Sequence, residues 1–473
     1  MKYIKYIQGI DKIKLLSIKI TVCVFISIVM SGCASLQNVG QIATKQKYLC
    51  ADVGYSNYNQ MIVDEFRSKY FELPVDNSET QRKRALDKIL NEENLELADK
   101  IELLKNLSPK RTVTRPSQES LMERLIVSVE PQQLPLLKYS IDYDGDYKDM
   151  TEYVFHDIDN SCWQDSLVMH FAKTEGVQGV KVLSDVDDTM YANLVDIRYP
   201  KGTVYPGVLE FYRALSKEPF KHNGVPLTTL SARPNSTGRL EEDSINGIMK
   251  KSDTELCPTA LSGEVTSSFL GTLETWMRSL FSNSNDTVSH RNEDKIGEVK
   301  FKNFVEYSQV YPEYEYVFVG DSGQADSITA TKMVLNGHEE WTDRVLIAFI
   351  HDLNENPSHS FQNIQDDLKV TDKSSNPRGI VVFRNYIDAA TVAFSHSDKL
   401  GDLITADELG QIVLGALEKL KDIQFSHEQG DWKQQLYREY KEDAYRAVAQ
   451  LRDRGETNIA EKIEVVLIEW DVG

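Results

Sequence analysis

The chain has 473 residues, 41% of them apolar and 27% charged, which is enough for a sizeable core and excludes global disorder. Its formal net charge of −20 excludes a general nucleic-acid binder, which would present a basic face. The same balance excludes broad electrostatic attraction to anionic lipid, so any attachment to a membrane must come from a local feature.

Such a feature stands first in the chain. Lys2, Lys5, Lys12, Lys14 and Lys19 form a basic stretch, followed by the apolar run "ITVCVFISIVM", which is too short for a comfortable membrane span. The run ends in "MSGC" and resembles a bacterial lipoprotein signal, in which Cys33 is lipidated and becomes the mature N-terminus. An ordinary secretory signal or a single anchor helix is the alternative reading. Removal of residues 1–32 would take five lysines and Asp11, a net +4, and leave a mature charge of −24. Ala34 follows the cysteine, and by resemblance to enterobacterial sorting this implies lipid anchoring in the cell envelope at the outer rather than the inner membrane. Cys50, Cys162 and Cys257 are too few and too scattered for a disulfide framework or a zinc site. One disulfide would be compatible with an oxidising envelope, and spacing selects no pair.

Residues 33–60 read as a lipidated tether, and 61–175 as a mainly helical region. In "ETQRKRALDKILNEENLELADKIELLKNL", Ala85, Ile89, Leu95, Leu97, Ile101 and Leu104 fall near helical spacing. "DYDGDYKDM" begins at Asp142 like a calcium loop, but Tyr147 and Tyr153 replace the glycine and the bidentate glutamate such a loop needs, so a solvated turn is expected.

Over 176–395 short apolar runs alternate with amphipathic stretches. The runs are "VKVL" (180–183), "VPLTTL" (225–230), "YEYVFVG" (314–320), "RVLIAFI" (344–350) and "GIVVF" (379–383). This alternation predicts an α/β fold with a mainly parallel, Rossmann-like sheet and helices on both faces. "PGVLEFYRALSK" is one of the helices, with Pro206 suited to its first turn. From 396 to 473 the pattern is helical again. "TADE" (405–408) has capping-box spacing, and Leu409, Ile412, Val413, Ala416, Leu417 and Leu420 mark one face of the helix that follows. The aromatic stretch "DWKQQLYREYKEDAY" reads as a packed helix face.

Chemistry concentrates at the strand ends. In "GVKVLSDVDDTMYANL", Asp185, Asp187 and Asp188 directly follow a buried run, where unpaired carboxylates are costly. Hard oxygen ligands of this kind suit Mg²⁺. "LTTLSARP" ends the next run with Ser231, and "FVGDSGQAD" ends a third with Asp321, with Asp326 shortly beyond. Between them lies the lysine-containing "KFKNFVEYSQVYP". Carboxylate, hydroxyl, lysine and carboxylate on successive strand ends suit phosphoryl transfer through an aspartate: one group attacks phosphorus, another moves protons, and donors hold the phosphoryl oxygens. Arg233 could touch a phosphate or solvate its loop, and His222, His290 and His351 fall in no ligand spacing.

This order resembles the four motifs of the haloacid dehalogenase superfamily of aspartyl phosphatases. The resemblance implies that Asp185 is the nucleophile, Asp187 the general acid/base and Ser231 a phosphate ligand. It makes Asp185, the backbone carbonyl of Asp187 and Asp321 ligands of Mg²⁺, with Asp326 in the outer shell and Asp188 and Thr189 in support. "SDVDDT", "YPGVLEFYRAL", "LSARP", "KFKNF", "YVFVGDSGQAD" and "RGIVVFRNY" further resemble the phosphatidate phosphatase catalytic domain of the yeast actin-patch type, over roughly residues 177–390. Val186 replaces that family's usual isoleucine, and the tract at about 250–300 is enlarged and polar. Its spacing back from Tyr311-Pro312 selects Lys300 as the phosphate-binding lysine, with Lys302 as the alternative. Little chain separates Asp188 from Ser231, which leaves room for little or no cap. The expected activity is Mg²⁺-dependent hydrolysis of a phosphomonoester, by resemblance phosphatidate giving diacylglycerol. The alternatives are another phosphomonoester, soluble or on a protein, and a catalytically silent envelope-anchored binding protein. Oligomeric state is not legible.

Overall fold

A computed structural model describes residues 95–107, 116–142, 149–175, 179–193, 195–216, 227–234, 259–263, 287–322, 325–335, 344–353, 379–396, 403–426 and 429–472. The signal segment, Cys33, the tether, Ala85, Ile89, Tyr147, Cys50, Cys257, His222 and the residues 143–148 of the calcium-like stretch lie outside them. No helix among the described residues is long and apolar enough to cross a membrane.

Six strands form one sheet: β1 (Gly179–Ser184), β2 (Leu227–Pro234), β3 (Thr259–Gly263), β4 (Tyr314–Asp321), β5 (Val345–His351) and β6 (Gly379–Phe383). Their spatial order is β3-β2-β1-β4-β5-β6, and every neighbouring pair is parallel. Register brings Ser184 opposite Val319, and Asp321 opposite His351. All carboxyl ends therefore lie along one edge. The chain reverses its direction of growth between β1 and β4, which makes that junction the switch point where α/β sheets bind ligands. The strands alternate two apolar sets because both faces are covered.

The helices are α1 (Leu97–Leu107), α2 (Pro116–Val127), α3 (Leu134–Asp142), α4 (Ser161–Phe171), α5 (Val208–Leu215), α6 (Thr287–Val310), α7 (Asp326–Leu335), α8 (Tyr386–Ser395), α9 (Ala406–Asp422), α10 (Gly430–Asp453) and α11 (Thr457–Val472). Val182, Val317, Val319, Ile347 and Phe349 face a core shared with α5 and α8 to α11. Leu183, Leu230, Phe318, Ala348 and Ile350 face a second core shared with α6, α7 and α1 to α4. The described parts of the terminal helical regions are thus outer layers of the sheet's two faces.

Polar contacts pin both layers. On one side the Lys138 ammonium, on α3, lies 2.6 Å from Glu313 and donates to the Val310 carbonyl at 3.0 Å. Asp142 is turned inward rather than into solvent: its carboxylate accepts from the Tyr311 hydroxyl and from Met150 N, and burial lifts its pKa to about 6. On the other side Asp443 of α10 accepts from Arg384 and Asn385, each at 2.6 Å, where β6 turns into α8. Thr405 and Glu408 form the expected capping box, and the six apolar positions read for α9 are all buried. In the aromatic stretch of α10, Tyr440 is buried and its hydroxyl accepts from Tyr199, in line with a packed face.

Two expectations needed adjustment. Strand β3, "TALSG", carries too few apolar residues to stand out by pattern. Pro206 lies in the turn before α5 rather than within its first turn, because Gly207 adopts φ +87° as the N-cap. At Gly207 a Cβ would come within 3.0 Å of the Ala416 Cβ on α9. Gly207→Ala combines left-handed strain with overpacking, so a loss of roughly 2–4 kcal/mol is expected, read as a lower denaturant midpoint at unchanged slope.

Candidate metal centre at the carboxyl edge of the sheet

Asp185 is the first residue beyond β1. Its N–H still donates to the Val319 carbonyl at 2.9 Å, so the neighbouring strand holds its backbone. The Ser184 hydroxyl donates to the Asp185 carbonyl at 2.6 Å and stands 2.6 Å from the Tyr212 hydroxyl. Asp321 closes β4, and Asp326 opens α7. Gly320 permits their close approach: a Cβ there would lie 2.6 Å from the Cβ of Asp326. The Asp321 N–H donates to Asp326 Oδ2 at 3.2 Å, which returns the second carboxylate to the strand end.

Carboxylate oxygens of Asp185, Asp321 and Asp326 all lie within 4.8 Å of one another, and the three side chains are buried. Lys300, from the middle of α6, places its ammonium 2.6 Å from Asp185 Oδ1 and 2.5 Å from Asp326 Oδ1. It is 3% exposed, whereas Lys302 is 53% exposed at its side chain and pairs with Glu306 on the helix surface. Of the two lysines read from the sequence, Lys300 belongs to the cluster.

Three carboxylates and one ammonium leave an excess of negative charge in a largely buried place. Burial is the main cause that pushes Asp185 up to about 8, with Asp326 and Asp187 adding repulsion and Lys300 opposing it. Asp321 is raised well above the carboxylate range for the same reasons. Burial alone would lower Lys300, but Asp185 and Asp326 reverse that and hold its ammonium well above the ordinary range. Asp185 Oδ2 is buried with no hydrogen-bond partner among the described residues. An all-oxygen donor set with surplus negative charge and an unsatisfied carboxylate oxygen fits a hard divalent cation. The three aspartates could hold a metal ion. Asp326 stands among the oxygens of this cluster, where the resemblance placed it one shell out.

The loop after Asp185 is built around Asp188. This residue is fully buried and adopts φ +57°, a region that aspartate tolerates better than most residues. Its carboxylate accepts from the backbone N–H groups of Asn193 (2.8 Å), Val195 (2.7 Å) and Asp196 (3.3 Å). Its carbonyl lies 3.0 Å from His351 Nδ1, while Arg198 stands 3.4 Å from Nε2. Arginine only donates, so Nε2 accepts and Nδ1 carries the hydrogen. Burial pushes His351 down to about 4, which keeps it neutral. Arg198 in turn clamps Asp196 with two bonds of 2.9 Å, and the Tyr205 hydroxyl donates to the same carboxylate. Asp187, 6% exposed, accepts from the Asn193 side-chain amide at 2.6 Å.

Compared with known proteins, the chain matches no family model, no curated protein and no solved structure. The geometry of the cluster is therefore the ground for any functional reading. Strand β2 carries Ser231 toward the same edge, and its side chain lies outside the described portion, as does that of Arg233. Asn193, Asp196, Arg198 and His351 were not read as functional from the sequence. They lie on a loop and at a strand end with no motif spacing, and only the fold gathers them around Asp188.

Protons and a cation compete for the same oxygens here. A carboxyl raised in the folded state gives stability that is lost as pH rises from the unfolded value, about 4, through about 8. A bound cation cancels that loss. The rise in unfolding temperature on adding Mg²⁺ or Mn²⁺ is therefore expected to be larger at pH 8 than at pH 5.5, measured by calorimetry against a chelator control. Asp321→Asn is expected to shrink the rise at both values.

Proposed function

We propose that the chain is a Mg²⁺-dependent phosphomonoester hydrolase that works through an aspartyl-phosphate on Asp185. The observation that carries this reading is the buried Asp185 carboxylate, held through Oδ1 by Lys300 beside two further carboxylates at the switch point of the sheet. The resemblance in motif order to haloacid dehalogenase phosphatases supports the same roles.

Asp185, Asp321 and Asp326, with the Asp187 carbonyl, would hold the Mg²⁺, which when bound offsets the repulsion between the nucleophile and a phosphate dianion. Lys300 orients Asp185 by holding Oδ1 and supplies a positive charge to the phosphoryl oxygens, a task shared with the Ser231 hydroxyl. In the first step an Asp185 oxygen bonds to phosphorus as the bond to the ester oxygen breaks, and Asp187 gives that oxygen its proton. In the second step water attacks phosphorus and gives a proton to Asp187, and the bond to Asp185 breaks. Alcohol and inorganic phosphate leave, and both aspartates return to their starting states.

Phosphatidate is the substrate favoured by resemblance, with diacylglycerol as the product. A lipid anchor at Cys33 in a bacterial envelope would bring the site to a bilayer that the strongly negative chain would not otherwise approach. The test is phosphate release from phosphatidate in detergent micelles by unlipidated protein, with Mg²⁺ and with chelator. Metal-dependent release that Asp185→Asn lowers at least about a thousandfold, with circular dichroism unchanged, is expected on the scale of losing a nucleophile. Release from an aryl phosphate but not from phosphatidate would keep the site chemistry and move the substrate to a soluble or protein phosphomonoester. No release from either would leave a binding protein. Lys300→Met, which strips the ammonium from three carboxylates, is expected to lower turnover at least about a hundredfold.

A further inference from the structure

We infer that Asn193 is a positioning residue for Asp187, holding its carboxyl group in one orientation for the delivery of a proton to the leaving group. This rests on the reading of Asp187 as the proton-transfer group.

The Asn193 side-chain Nδ2 donates to Asp187 Oδ1 at 2.6 Å. An amide N–H can only donate, and it does not titrate in the working range. Oδ1 accepts that bond, so the side chain is held at one of its two oxygens, and a carboxyl group without the bond would sample a wider range of rotations.

The donor is itself held. The Asn193 N–H donates to Asp188 Oδ1 at 2.8 Å, so one residue is gripped through its backbone by Asp188 while its side chain grips Asp187. Asp188 is buried and locked by two further backbone donors, Val195 and Asp196. Bridges of Tyr191 to Asp187 and to Val204 close the loop around this point. A side chain whose purpose was only to form the turn would need the backbone bond alone. The second bond, to the carboxylate two residues from the nucleophile, is what the positioning role explains.

A proton donor matters in proportion to the basicity of the leaving oxygen. Turnover should be compared on p-nitrophenyl phosphate, whose phenolate leaves unaided, and on an alkyl phosphate, phosphatidate or glycerol phosphate, whose alkoxide needs the proton. Asn193→Ala and the near-isosteric Asn193→Asp are expected to lower kcat on the alkyl substrate about 10- to 100-fold more than on the aryl one, within the range of a general acid, with KM little changed. Asp187→Asn should show the same selectivity more strongly. The Mg²⁺-induced rise in unfolding temperature should persist in both Asn193 variants, which checks that the metal cluster is intact. Equal losses on both substrates for both Asn193 variants, alongside a selective loss for Asp187→Asn, would overturn the positioning role and leave Asn193 as a turn residue. An Asp187→Asn variant without selectivity would overturn the proton-transfer reading itself, and the inference with it.

Discussion

The ammonium of Lys300 between Asp185 and Asp326 is the interaction on which the rest depends. Three carboxylates buried at one point cannot all ionise without compensation, and a single lysine supplies only part of it. Removal of the lysine would leave carboxylates that protonate rather than bind. A second fixed cation would fill the place where a metal ion could sit. The cluster as built is short of positive charge by an amount that a divalent ion can supply. Lys300 can occupy that place only because α6 is pressed against the sheet through Phe304, Tyr307 and Val310, all of which belong to the core beneath β1 and β4.

The helices before and after the α/β region share in that arrangement. The N-terminal layer packs over α6, with Lys138 bonded to the carbonyl of Val310 at its last turn, so the layer that looks accessory braces the helix bearing the lysine. The C-terminal layer braces the opposite element. Tyr386 donates to the Thr189 carbonyl at 2.6 Å, Gln429 to the Ile197 carbonyl at 3.2 Å, and Tyr199 to Tyr440 at 3.1 Å. The loop that presents Asp187 therefore rests on helices that contribute no chemistry of their own.

Much of this was legible in the sequence, and the physical reasons are specific. β1, β4 and β5 are largely buried on both faces and the edge strand β6 partly so, and all four read as mainly apolar runs that coincide closely with the observed strands. Asp185, Lys300, Asp321 and Asp326 follow or face those runs in an order that spacing preserves, and the structure brings them together. The α9 capping box is a local device and was visible as four residues. What was not visible depends on distance along the chain. β3 is short and polar enough to need its neighbour β2 to be a strand at all. His351 has no local signal, and its neutrality comes from burial between the carbonyl of Asp188 and the guanidinium of Arg198. The layered packing of the terminal helices is likewise a tertiary fact. Amphipathic periodicity says that a face is buried, not what buries it.

The support given to the Asp187 loop has a consequence in time. Tyr199 and Tyr440 are separated by 241 positions, and Ile197 and Gln429 by 232. A chain emerging from a ribosome, or threading through a membrane, presents the aspartates long before the helices that steady their loop exist on the same side. During that interval the segment is an ordinary acidic stretch without a platform. The proposed catalytic competence would then be the last property the molecule acquires, and a chain exported as proposed would do its chemistry only in the compartment where its C-terminal helices finally come to rest.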